Sequence, residues 1–150
     1  MDNFRLVQHF AEQLGLIIDP NPDGAYIFEV DGLQFSIYDI AELDKIIISG
    51  DIGYPPPGNR ESLYKSILEA QYMLKSTSGA TFSLNPDTGI LTLCKILIPT
   101  ILDNDAFFQE AENFINALHS WADIIRNYRQ ESALDEQASL SSLNSGFLQV

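Results

Sequence analysis

The stretch Tyr26-Ile27-Phe28-Glu29-Val30-Asp31-Gly32-Leu33-Gln34-Phe35-Ser36-Ile37-Tyr38 decides the fold. Two runs rich in strand formers flank Asp31-Gly32, and two residues of that kind between alternating segments are the strongest short-range hairpin signal. In the second run Leu33, Phe35 and Ile37 share one face. On the upstream side, Asp19-Pro20-Asn21-Pro22-Asp23-Gly24 is a dense run of turn formers that hands over to the first strand. On the downstream side, Lys45-Ile46-Ile47-Ile48-Ser49 reads as a third strand, ended by Gly50, Gly53 and the stiff Pro55-Pro56-Pro57-Gly58 connection. The centre of the chain is therefore an antiparallel meander.

Helical periods surround it. Phe4, Val7, Phe10, Ala11 and Leu14 recur at spacings of one helix face from about Asn3 to Leu14, with Asp2 and Asn3 as candidate caps and Leu14-Gly15-Leu16 as the stop. Between Arg60 and Lys75, with Asn59 as a candidate cap, Leu63, Ile67, Ala70 and Leu74 form a stripe beside Tyr64, Leu68 and Tyr72. Thr81-Phe82-Ser83-Leu84, the turn Asn85-Pro86-Asp87-Thr88-Gly89, and Ile90 to Ile98 predict a second hairpin. Asp103, Asn104 and Asp105 then open a long helix on Phe107, Ala111, Phe114, Leu118, Trp121 and Ile125, with Arg126 and Arg129 read as its basic carboxyl end. The expected class is α+β: a five-stranded antiparallel sheet with three helices in the order α-β-β-β-α-β-β-α. Residues 1–129 form one domain on this reading, and 130–150, polar and serine-rich, a flexible tail.

With 150 residues the chain suits a single core that buries roughly 70% of the unfolded surface. Its 21 acidic and 8 basic side chains give a formal charge of −13, while 45% apolar and 11% aromatic residues argue against wholesale disorder. Such a chain is repelled by phosphate backbones and anionic membranes, so neither nucleic acid nor a membrane is an expected partner. The start has no basic segment followed by an apolar core, and no apolar run is long enough to span a bilayer; the expected compartment is the cytoplasm. Cys94 is the only cysteine, which excludes an intrachain disulfide.

Catalytic signatures are missing: no phosphate-cradling glycine loop, no G-x-S-x-G elbow and no H-E-x-x-H. His9 and Glu12 lie three apart on the first helix, where a solvated face explains them better than a metal. His119 reads as a structural histidine, Cys94 as packing in the last strand, and Asp39, Glu42 and Asp44 as solubilising charge. No cofactor and no enzymatic activity are expected; binding is the remaining occupation. Consecutive apolar residues in Tyr26-Ile27-Phe28 and Ile46-Ile47-Ile48 supply both faces of the sheet, so one face needs helices and the other a cover or a ligand.

In this respect the sequence resembles the class I type III secretion chaperones of the CesT/SicP-like family, acidic bacterial proteins that bind secreted effectors before export. The resemblance runs from Phe4 to about Tyr128. It rests on Leu14-Gly15-Leu16, Asp23-Gly24, Val30-Asp31-Gly32, Gly50-Asp51-Ile52-Gly53-Tyr54-Pro55, Ser66-Ile67-Leu68-Glu69-Ala70, Leu84 through Leu93, and Phe114 through Trp121. Gln71 stands where the family usually has asparagine.

The resemblance implies a bacterial cytoplasmic homodimer built through the second helix, which assigns the dimer contact to Leu63, Tyr64, Ile67, Leu68, Ala70 and Leu74. It further implies that apolar surface holds the non-globular amino-terminal segment of an effector. Phe10, Leu14 and Leu16 with Phe28, Val30, Phe35, Ile37, Ile46 and Ile48 are the residues expected to do so. The alternative from another class is an adaptor or regulator of secretion that binds a folded protein partner.

Overall fold

The computed structural model describes residues 3–18 and 24–147. The elements are α1 (Phe4–Gln13), β1 (Ala25–Val30), β2 (Leu33–Ile40), β3 (Lys45–Gly53), α2 (Arg60–Gln71), β4 (Thr81–Leu84), β5 (Leu91–Leu97) and α3 (Asn104–Phe147). All strands pair antiparallel in the spatial order β1-β2-β3-β5-β4. The expected class and element order are those observed. The Asp19–Asp23 part of the upstream turn run, and Asp2, lie outside the described residues.

Local chemistry accounts for the joints. Asp31 and Gly32 both take positive φ, 50° and 79°, as a two-residue hairpin matched to strand twist demands. At the end of α1, Gly15 is left-handed and the Leu16 N–H donates to the Ala11 carbonyl at 2.8 Å, closing the helix as the glycine stop predicts. Asp103 caps α3 by accepting the Ala106 N–H at 2.8 Å. Two expected caps act differently. Asn3 donates instead to the Asp39 carboxylate at 2.8 Å, and Asn59 is itself left-handed with no capping bond from its side chain.

One face of the sheet is buried. Phe28 from β1, Phe35 and Ile37 from β2, Ile46, Ile48 and Ile52 from β3, and Leu91, Leu93 and Leu97 from β5 face α1 and α3. Phe10 of α1 centres an aromatic cluster, edge-on to Phe28 at 5.8 Å and to Phe107 at 6.1 Å, while Phe28 stacks on Phe35 at 5.4 Å. Edge-to-face and offset pairs of this kind add about 0.5–1.5 kcal/mol each beyond the area they bury. Burial then alternates residue by residue along β3 and β5, so the opposite face carries Ile47, Ser49, Thr92, Cys94 and Ile96.

α2 lies on the helical side, against α3 and β4. Leu63 and Ile67 enter the common core, Ser66 hydrogen-bonds Tyr128 at 2.8 Å, and Gln71 Oε1 accepts the Phe82 N–H of β4 at 2.7 Å. Gln71 thus fastens the end of α2 to the sheet. The helix stops there, four residues short of Lys75, because Met73 and Leu74 turn left-handed. Trp121 then anchors the connection, its indole N–H reaching the Ser76 carbonyl at 3.2 Å and its ring edge-on to Phe82 at 4.7 Å.

The helix α3 does not end near Gln130. It runs 44 residues to Phe147, so Arg126 and Arg129 lie inside it and no basic residue occupies its last turn. The physical reason is propensity: Ala133, Leu134, Glu136, Gln137, Ala138 and Leu140 are good helix formers, and neither glycine nor proline intervenes before Gly146. Serine spacing hid this, because a helix leaving the body needs no apolar period to persist.

Candidate partner-binding surfaces

The expected effector residues divide by depth. Phe10 on the inner side of α1, and Phe28, Phe35, Ile37, Ile46 and Ile48 on the sheet face beneath α1 and α3, are all buried, none more than 3% exposed. They hold the monomer together and present nothing to a partner. Their strand parity is the one that α1 and α3 cover. Leu14, at 38% exposure, reaches the surface at the end of α1, while Leu16 and Val30 are partly buried.

The expected dimer residues divide in the same way. Leu63 and Ile67 point into the core, Tyr64 and Ala70 pack partly against it, and Leu68 and Leu74 stand outward. Tyr72 and Met73, absent from the expected set, join them; all four outward side chains are more than two-fifths exposed, with Tyr72 the most open at 74%. A short apolar patch therefore lies at the end of α2.

Among the described residues no helix covers the other face of the sheet, which forms a second surface. Its cross-strand register places Ala25, Tyr38, Ile47 and Ile96 in one row across β1, β2, β3 and β5. Ile27, Ser36, Ser49, Cys94 and Thr81 form the next row, and Asp51, Thr92 and Ser83 the one after. The apolar row thus grades into hydroxyls over three rungs. A depression of about 790 Å³ opens over the hydroxyl-rich part, lined by Gln34, Ser36, Tyr38, Ser49, Asp51, Ser83 and Thr92. Tyr38 borders both halves. Here Ser83 and Thr92 hydrogen-bond one another at 2.5 Å across β4 and β5.

Those residues were missed by sequence reasoning, although a signal for them existed. Tyr26-Ile27-Phe28 and Ile46-Ile47-Ile48 put apolar side chains on both parities, and the helices could cover one parity only.

Cys94 sits in the middle row, half-buried, and burial pushes its thiol above the ordinary value because a thiolate there would lose hydration. Among the described residues no three His, Cys, Asp or Glu side chains converge to hold a metal ion. His9 meets Gln13 at 2.9 Å, and Glu12 accepts from Gln8 at 2.9 Å, both on the exposed face of α1. No helix of the described residues is long and apolar enough to cross a membrane.

The fold is that of secretion chaperones. A chain of the HopA1-SchA chaperone-effector complex superposes with a TM-score of 0.62 at 13% identity, over 80% of this chain and 92% of that one. A chain of the ExsC-ExsE complex gives 0.64 at 17% identity, over 81% and 91%. The Yersinia pestis type III secretion chaperone SycH, in complex with a stable fragment of YscM2, gives 0.60 at 18% identity, over 78% and 97%. No curated protein sequence matches significantly. Residues 5–122 match the Tir chaperone protein (CesT) family, and the chain belongs to that family.

Proposed function

We propose that this protein is a cytoplasmic, non-enzymatic chaperone that binds the non-globular amino-terminal segment of a type III secreted effector and keeps it soluble and competent for export. Family membership supports the class of function, and the structural neighbour solved as the HopA1-SchA chaperone-effector complex supports the kind of partner. The observation that carries the assignment to a surface is the helix-free sheet face, where Tyr38, Ile47 and Ile96 form an apolar row beside hydroxyl-bearing rows.

Such a face suits a segment with apolar side chains on one side and polar groups on the other. Covering the row removes apolar area from water at about 25 cal/mol per Å², while the serine and threonine hydroxyls satisfy polar groups of the guest. β1 and β4 are the outer strands of the sheet, beside which a guest that becomes extended can add as a further strand. A net charge of −13 keeps the loaded complex dispersed. In this reading the protein works as a homodimer through the exposed part of the α2 patch: Leu68, Tyr72, Met73 and Leu74.

The test is co-expression with secreted proteins of the same genome, followed by purification on the chaperone. An effector should co-purify and its bound segment should be protease-sensitive when alone. Tyr38→Asp combined with Ile96→Asp should abolish retention without unfolding the chain. Retention indifferent to those substitutions would remove the open face from the mechanism. A partner that is protease-resistant by itself would favour the adaptor alternative, and no secreted partner at all would overturn the chaperone reading.

A further inference from the structure

Arg126 and Arg129 lie inside α3, with Arg129 about five turns from its end, so the helix dipole does not account for them. Arg126 pairs with exposed Asp123 at 2.9 Å, and Arg129 makes no ion pair among the described residues. Both border a groove of about 560 Å³ whose apolar lining includes Leu33, Ile52, Tyr54, Ile90 and Ile125.

Along α3 the residues Ala122, Arg126, Arg129, Ala133, Glu136, Leu140 and Leu143 recur at alternating spacings of four and three, which makes one continuous stripe. The half nearest the body is basic. The far half carries Glu136 and no basic residue, since no Lys or Arg follows Arg129. Leu140 and Leu143 on that half are more than half exposed. All but Ala122 of this stripe lies past the family match, which ends at residue 122.

A stripe that is basic at one end, acidic at the other and apolar in both complements itself when two copies lie antiparallel. We propose that α3 is a self-association surface, separate from α2, on which a second copy of this chain docks antiparallel about an axis near Glu131. Arg126 of each copy then faces Glu136 of the other. Leu140 falls opposite Ala122, beside the apolar groove. A parallel arrangement would set Arg on Arg and Glu on Glu, which this charge distribution opposes.

Double electron-electron resonance on the full chain in a Cys94→Ser background tests the arrangement. A nitroxide at Gln130 should give an intersubunit distance within roughly 20 Å, whereas one at Ser145 should give roughly 40 Å, from 1.5 Å of rise per residue on either side of the axis. Arg126→Glu with Arg129→Glu should reduce the paired fraction about tenfold or more. Mixing that variant with a chain carrying Glu136→Lys should restore the short distance. Short distances at both labels would mean parallel pairing, and no short distance at Gln130, or one indifferent to charge reversal, would mean no α3 pairing; each overturns the proposal. Effector retention is read separately, so either result leaves the chaperone assignment standing or falling on its own test.

Discussion

Leu118 of α3 lies directly over Gly50 of β3, so close that a methyl group built on Gly50 would sit 2.6 Å from one Leu118 methyl and 2.7 Å from the other. Gly50 is level with Phe35 on one neighbouring strand and Leu93 on the other. All three are buried with Leu118, so the leucine has nowhere to retreat. The missing side chain is the gap through which the long helix reaches the sheet.

Gly50→Ala is therefore expected to destabilise the fold by about 1–3 kcal/mol through overpacking. Urea denaturation measures it. A second change, Leu118→Ala, should cost less in the Gly50→Ala background than alone, because the two side chains compete for one space. Additive effects would show that the contact does not limit packing.

Lys95 is buried on the helical side of β5, where its ammonium donates to the Glu110 carboxylate of α3 and to the Ser78 carbonyl at 2.5 Å. Glu110→Gln leaves that ammonium without its anion and should lower stability by about 1–3 kcal/mol. Lys95→Met removes the charge together with its need for a partner and should cost less. Thermal melts of the two variants decide the order.

The α2 patch predicts an assembly effect without a folding effect. Leu68→Lys with Met73→Lys should leave the melting temperature of the monomer within a few degrees of the parent, because neither side chain is in the core. If α2 forms the homodimer, the same pair of substitutions should halve the mass found by light scattering at low micromolar concentration. A dimer that survives them would move the contact elsewhere.

Cys94 reports on the open face. Burial holds its thiol above the ordinary value of 9.0, so the folded chain keeps this proton where the unfolded chain has begun to lose it. The associated stability is complete below pH 9 and declines as pH rises through the folded value. At neutral pH the thiolate is scarce, and iodoacetamide should modify Cys94 more slowly than a free thiol, as mass spectrometry would show. An effector lying across the Ser49–Cys94 row should slow the reaction further; an unchanged rate in the complex would place the guest elsewhere.

The same residues show how far the sequence could be read. Asp31-Gly32, Gly15 and Asp103 dictate their turns and caps through local chemistry, so the hairpin, the helix stop and the start of α3 were legible without neighbours. Asn3 and Asn59 misled because each had a competing use for its backbone or side chain, one in a bond to Asp39 and the other in a left-handed turn. The length of α3 was illegible for another reason: beyond Gln130 its described side chains are exposed except Ser132, which packs by Gly58, and its helix rests on propensity rather than on a buried apolar stripe.

Order, strand number, acidity and the presence of apolar residues on both sheet parities are properties of the sequence, because each follows from neighbours along the chain. Which parity becomes the core depends on where α1 and α3 come to rest. Phe10 reaching Phe28 and Phe107, and Leu118 dropping onto Gly50, place both helices on one side and leave Tyr38, Ile47 and Ile96 on the other. A period of two makes the two faces equivalent along a strand, and only long-range packing can break that equivalence.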